Sequence, residues 1–292
     1  MFSRVVRAAA PLVALLSACS RGPVEWAAAP SSLDQAAAGR QLALDASGAP
    51  TLAPPPPLPP TLPAGPRCDA SVRVATLPRG AARATVVVWW APRADGSAAL
   101  LAAESLDEGR TWSAAVPVDT LDRGTNGCAR PAPAIAADSA SGYAHVAYPL
   151  WAPEGPGVFV SHTMPGHFMF HTPIVVSYGD RPGAVSVAAS GNDVAVAYED
   201  PNARAPRVGL ALSRTQGHVL EHRALAPASA GDASTPLVAL RDGRIAVAWV
   251  QRPHMAAAAA ASATAAPPLT MVRTGTLAAS DARPGSAETQ GP

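Results

Sequence analysis

The densest chemistry in the 292-residue chain lies between His162 and His171, where the sequence reads HTMPGHFMFH. Three of the seven histidines and two of the five methionines fall in those ten residues. On a strand, His167, Met169 and His171 share one face while Phe168 and Phe170 take the other. Same-face neighbours stand about 6.8 Å apart, close enough for their side chains to converge on one ion. Imidazole with thioether suits copper, so these three residues are the candidate metal ligands. The same segment also reads as a solvated outer strand whose two phenylalanines enter the core. Part of it recurs downstream as Gly217-His218 and His222. His145 sits within an apolar run and reads as a hydrogen-bonded core residue rather than a ligand.

These residues need a scaffold, and internal repetition supplies one. Four apolar runs end in an aromatic: Val86 to Trp89, His145 to Tyr148, Val194 to Tyr198 and Ile245 to Trp249. Another apolar segment precedes each run, at Ser71 to Ala75, Pro133 to Ala137, Val185 to Ala189 and Pro236 to Leu240. A third follows, ending near Ser105, Ser161, Ser213 and Arg273, with Gly109, Gly166, Gly217 and Gly275 at the expected turns. A fourth segment appears at Val116 to Val118, Ile174 to Val176 and Ala224 to Ala226. Four short strands in a unit of about 50 residues is the pattern of a β-propeller blade. The expected fold is therefore all-β, a propeller of antiparallel four-stranded blades with four blades visible. The array closes either as a small four-bladed ring or with the N-terminal segment completing a further blade.

The third-to-fourth strand turn of the first unit reads Ser105-Leu106-Asp107-Glu108-Gly109-Arg110-Thr111-Trp112. It matches S-x-D-x-G-x-T-W and so resembles the Asp-box, or BNR repeat, of sialidase-like propellers. Asp107 can accept turn amides, Gly109 supplies a positive φ, and Trp112 can pack its ring on the blade. Degenerate copies stand at Ser161…Gly166-His167-Phe168 and at Ser213-Arg214-Thr215-Gln216-Gly217. The resemblance covers about residues 67 to 280. It implies an arginine triad for a substrate carboxylate and a Tyr nucleophile with its Glu. The matching positions are Arg130-Pro131, Arg181-Pro182 and Tyr198-Glu199. Adjacent strand residues point to opposite faces, so Glu199 is poorly placed to serve Tyr198. No third arginine or catalytic acid can be placed by motif. The Asp-box is structural in that family.

The chain opens with Arg4 and Arg7, an apolar stretch from Ala8 to Leu16, and Leu16-Ser17-Ala18-Cys19. The apolar stretch is shorter than the roughly 20 residues that span a bilayer and reads as a signal peptide. Its ending resembles the lipobox of bacterial lipoproteins, which implies lipidation of Cys19 and, with Ser20 following, the outer membrane. Residues 1–18 are then the signal peptide and 19–66 a lipidated, disordered Pro/Ala-rich tether. The propeller occupies 67–280 and a disordered tail 281–292. Within the tether, Thr51 to Pro66 should be extended polyproline II reaching roughly 50 Å. Leu42 to Gly48 is the exception, a strand and turn that could join the last blade. With Cys19 lipidated, Cys68 and Cys128 are the two cysteines left, and in an oxidising compartment they should pair.

A formal net charge of +1 leaves no electrostatic footprint for nucleic acid. The expected partners are a membrane, through the lipid, and a glycan, peptide or protein ligand on the propeller face. The favoured function is a non-catalytic binding or assembly module needing no cofactor. Its alternatives are an exo-α-sialidase-type glycosidase and a periplasmic copper-binding protein.

Overall fold

The computed structural model of the chain describes residues 22–27, 29–79, 82–164, 167–220, 222–225, 232–252 and 267–278. Cys19, Gly166 and the tail beyond residue 278 lie outside the described residues, so the lipidation site is not seen. The described residues hold strands, one short 3-10 turn at Asp69–Ser71 and no α-helix.

Four short strands come first: β1 (Val24–Trp26), β2 (Ser31–Leu33), β3 (Gln41–Leu44) and β4 (Pro50–Ala53). The first unit follows as β5 (Arg73–Arg79), β6 (Ala82–Pro92), β7 (Ala98–Ser105) and β8 (Val116–Asp119). The second is β9 (Ala134–Ala137), β10 (Ala144–Ala152), β11 (Gly155–Met164), β12 (His167–Phe170) and β13 (Ile174–Tyr178). The third is β14 (Val185–Ser190), β15 (Asp193–Glu199), β16 (Val208–Ser213) and β17 (His222–Leu225). The fourth has β18 (Asp232–Arg241), β19 (Arg244–Arg252) and β20 (Leu269–Leu277). Each unit is an antiparallel meander, and the first strands β5, β9, β14 and β18 lie side by side in that order. The architecture is all-β and propeller-like.

The apolar runs are long because each sheet is covered on both faces. In β6, Val88 and Trp90 face the second unit, joining Leu100, Val146, Tyr148 and Phe159. Val87 and Trp89 face the other way, under Leu62 and Trp112. Alternation then puts apolar side chains on both sides, and the strand reads as a continuous hydrophobic stretch. Further clusters join the second unit to the third through Val160, Val194 and Val196, and the third to the fourth through Leu210, Leu212, Val247 and Trp249.

The N-terminal segment differs from the expected disordered tether. β1 and β2 both pair with β20, at Val24↔Leu277 and Ser31↔Val272, and supply the outer strand that the fourth unit lacks. An edge strand such as β20 presents unpaired backbone groups, and pairing satisfies them. Val24 is buried and Trp26 packs beside it, under the guanidinium of Arg273. Leu42 to Gly48 does not join that sheet. It forms the hairpin β3–β4, which packs Leu42 and Leu44 against the fourth unit beside β18, like the start of a further two-stranded blade. Gly275, expected at a turn, lies inside β20 opposite Ile245.

The proline-rich run past Ala53 joins no sheet, but it is not free of the domain. The Thr61 hydroxyl donates to the Gly109 carbonyl at 2.5 Å, and the Trp112 indole N–H donates to the Thr61 carbonyl at 3.2 Å. Pro59 lies where a Cβ on Gly109 would stand, so that turn accepts only glycine.

Candidate metal centre

Two neighbouring units build one histidine cluster. β10 and β11 form a hairpin in which His145 and His162 are directly opposite, so both side chains project from the same face. Tyr143, just ahead of β10, stacks on His145 with ring centroids 5.8 Å apart. His171 follows β12, and its amide donates to the His162 carbonyl at 2.9 Å. His218 enters from the third unit, in the turn between β16 and β17. The His162 ring centroid lies 4.7 Å from that of His171 and 4.5 Å from that of His218. One ring nitrogen from each of His162, His171 and His218 falls within 4.8 Å of the others.

Hydrogen bonding selects which nitrogen is available. His162 Nδ1 faces the Thr163 carbonyl at 3.2 Å, and His218 Nδ1 faces the Thr215 carbonyl at 2.7 Å. A carbonyl only accepts, so each Nδ1 carries the proton and each Nε2 keeps its lone pair. Histidines that bind metals are oriented in this way. His171 Nε2 points at the thioether of Met164, 2.6 Å from Sδ.

The environment keeps the inner rings neutral. Burial pulls the pKa of His162 down to about 4, against a Thr163 hydrogen bond that raises it, and His218 and His171 lower it further. Burial pulls His145 down to about 3, with His162 adding to the effect and Asp138 opposing it. Neutral imidazole is the form that binds zinc, copper or nickel. Exposure is graded: His162 is buried, His171 half-buried and His218 exposed, so the cluster opens to solvent on one side. The two outer rings can rotate to close on an ion at about 2.0–2.1 Å, the usual metal–imidazole distance. Behind the three, His145 is fully buried, and neither of its ring nitrogens has a hydrogen-bond partner among the described residues. A buried polar group is ordinarily satisfied. His145 is in the core, as the sequence indicated, but it finds no hydrogen-bond partner among the described residues.

The turns that follow the third strand of each unit explain how the chain places these rings. In the first unit the Ser105 hydroxyl accepts the Gly109 amide at 2.7 Å. Asp107 takes the amides of Arg110 and Thr111 and the Thr111 hydroxyl. In the third unit Ser213 accepts the Gly217 amide at 3.0 Å, with Thr215 standing in the place of Asp107. Residue pairs 108–109 and 216–217 share the same positive φ angles, 62° and 83° against 56° and 83°. A Cβ on Gly217 would come 3.2 Å from His145 Nδ1, so the glycine also lets the turn sit on the cluster. In the second unit the equivalent Ser161 donates instead to the His171 carbonyl at 2.6 Å. There the serine that would hold a turn holds a cluster residue.

Of the expected ligand set, only His171 enters this cluster. His167 and Met169 project to solvent from β12, while Phe168 and Phe170 face the core. His222 pairs through its backbone with Leu212, and its side chain lies outside the described residues. His162, His218 and Met164 were not singled out as ligands by sequence reasoning. A two-residue turn at Pro153-Glu154 sets the β10–β11 register and was the available signal for the His145–His162 pair.

The sialidase-type candidates do not converge. Arg130 is buried with Asp122 at 2.6 Å, each side chain 0 % exposed. Three further N–H groups donate to the carbonyls of Gly127, Gly96 and Gly124, and its guanidinium lies over Trp90. Four of its five N–H groups are engaged inside the protein and its side chain is fully buried, so it is not presented to a substrate carboxylate at the central face. Arg181 is exposed and donates to the Ala203 carbonyl. Tyr198 packs in the core between the second and third units, its ring across Gly209. Glu199 accepts the amides of Ala184 and Thr235. Cys68 and Cys128 are disulfide-bonded, with Cα atoms 5.3 Å apart.

No protein-family model matches the chain, and no curated protein matches it. Among solved structures it is similar to the Hadza microbial sialidase Hz136, at 13% identity and a TM-score of 0.41 over 62% of this chain and 42% of that one. It is similar to a PL25 ulvan lyase at 13% identity and 0.45, over 62% and 46%. It is similar to the α-L-arabinofuranosidase Arb93A of Fusarium graminearum at 13% and 0.42, over 71% and 77%. The chain spans less than half the length of the first two. At such TM-scores the likeness transfers neither architecture nor activity, and the fold rests on the strand pairing itself.

Proposed function

We propose that this chain is a non-catalytic binding module of the bacterial cell envelope, anchored through Cys19, and that what it binds is a transition-metal ion. One observation carries the reading: three imidazoles from two blades converge with their nitrogens within 4.8 Å. The tautomers of His162 and His218 support it, since each leaves an Nε2 lone pair directed away from its backbone carbonyl. The glycosidase alternative loses its support, because Arg130 is consumed internally and Tyr198 is a packing residue. The protein's chemistry is then capture rather than turnover.

Metal content and calorimetric titration with Zn(II), Cu(II) and Ni(II) test this on the purified protein. Wild type should take up one equivalent of at least one of these ions. His162→Ala should weaken uptake about 100-fold or more, as loss of a ligand exceeds the 10–100-fold of an outer-sphere change. His167→Ala should leave it unchanged. Wild-type protein that binds none of them and no Cu(I) under reducing conditions, or binding indifferent to His162, removes the reading.

A further inference from the structure

The donor set around the cluster is unusual in two ways. First, among the described residues it carries no anionic ligand. The group that converges is made of imidazoles alone. The acid acting on His145, Asp138, already accepts the amides of Ala140, Ser141 and Gly191. A divalent ion held by neutral ligands in a partly buried site would leave two charges uncompensated, whereas a monovalent ion leaves one. Second, a thioether is aimed at the opening. Met164 is the last residue of β11, where the chain bulges between Thr163 and Met164. Although 39 % exposed, its sulfur lies beside His171 Nε2. Zinc takes sulfur as thiolate, whereas methionine thioether is a soft ligand that selects copper in its lower oxidation state.

We infer that the centre takes Cu(I), with Met164 as a ligand beside His162, His171 and His218. The inference rests on the metal-centre reading above and narrows it. The second blade supplies three of the four donors and the third blade one, so the ion bridges the two blades. Met164 was present in the histidine-rich segment all along, but on the strand end opposite His167 rather than beside Met169.

Competition titrations on the full chain bearing Cys19→Ser decide the matter. That substitution removes a thiol that would itself bind Cu(I), and ascorbate serves as a reductant that spares the Cys68–Cys128 disulfide. Cu(I) is titrated anaerobically against a chromophoric cuprous chelator, and Zn(II) against a zinc dye. Met164→Leu keeps the size of this surface side chain. It should raise the Kd for Cu(I) about 10-fold or more and that for Zn(II) less than about threefold. X-ray absorption of the Cu(I) form should show a sulfur scatterer that Met164→Leu removes. Equal effects of Met164→Leu on both ions, or a spectrum without sulfur, overturn the Cu(I) assignment and leave the metal centre standing. Failure of wild type to bind Cu(I), Cu(II), Zn(II) or Ni(II) overturns both.

Discussion

Arg130 and Asp107 are the two residues whose chemistry most resembles a working site, and both are structural. Arg130 and Asp122 are fully buried together, so Arg130→Ala leaves an unpaired carboxylate in the core. The expected loss is about 3–5 kcal/mol, read as a shift in the urea or thermal midpoint. Arg130→Lys should recover little, because one ammonium cannot meet acceptors arranged for a planar fork. A wild-type midpoint in Arg130→Ala, with hydrolysis of a fluorogenic sialoside that the substitution abolishes, would return the residue to a substrate site. Asp107 is held well below its ordinary 3.8, first by the Thr111 amide and then by the Ser105 and Thr111 hydroxyls. A depressed carboxyl contributes stability that is complete above its unfolded value and fades as pH falls through the folded one. Asp107→Asn should therefore lower the melting temperature at pH 7, and its difference from wild type should narrow below about pH 3.8. A difference constant from pH 7 to 2 would mean that the carboxylate charge contributes nothing to the turn.

At the level of elements, the strands carrying both-face apolar runs were legible and the supplementary ones were not. Val86 to Trp89 and Ile245 to Trp249 announce themselves because five or so consecutive apolar residues have no place in a solvated loop. β1 and β2 are three residues each, too short for any period to register. Their pairing with β20 is decided by an edge more than 200 residues away; the Ala37 amide, just past β2, donates to the Thr270 hydroxyl across 233 residues. The histidine cluster was half legible for a similar reason. Residue type drew attention to the segment from His162 to His171, but counting alternate positions along one strand chose His167 and Met169. The true grouping is across strands and across blades, which needs the hairpin register and the Gly217 turn. Val24→Asp separates the two readings of the N-terminal segment. In a solvated spacer it would change stability by less than about 0.5 kcal/mol. Paired against Leu277 and buried, it should cost about 2–4 kcal/mol through an unpaired buried charge, measured by chemical denaturation.

For the whole molecule, the proposal joins an anchor, a stitched array of blades and an ion between two of them. Cys19→Ser should shift the protein from the membrane to the soluble fraction or leave the precursor uncleaved, as fractionation and intact mass would show. Normal processing with full membrane retention would dismiss the lipid anchor. The blades themselves do not depend on it. Their cohesion comes from apolar clusters between sheets, the Cys68–Cys128 link between the first two units, and the proline-rich strap across the outer face of the first.

That strap changes the geometry of display. Had residues 19–66 been a free spacer, its proline-rich part alone would have given the domain a reach of roughly 50 Å. With β1 sewn onto β20, only five residues separate Val24 from a lipid on Cys19, at most about 17 Å when fully extended. Were Cys19 the lipid anchor, the domain would ride on a short leash, with its fourth blade nearest the bilayer. So anchored, it could not sweep its compartment for a partner, and whatever loaded or unloaded it would have to come to the membrane surface.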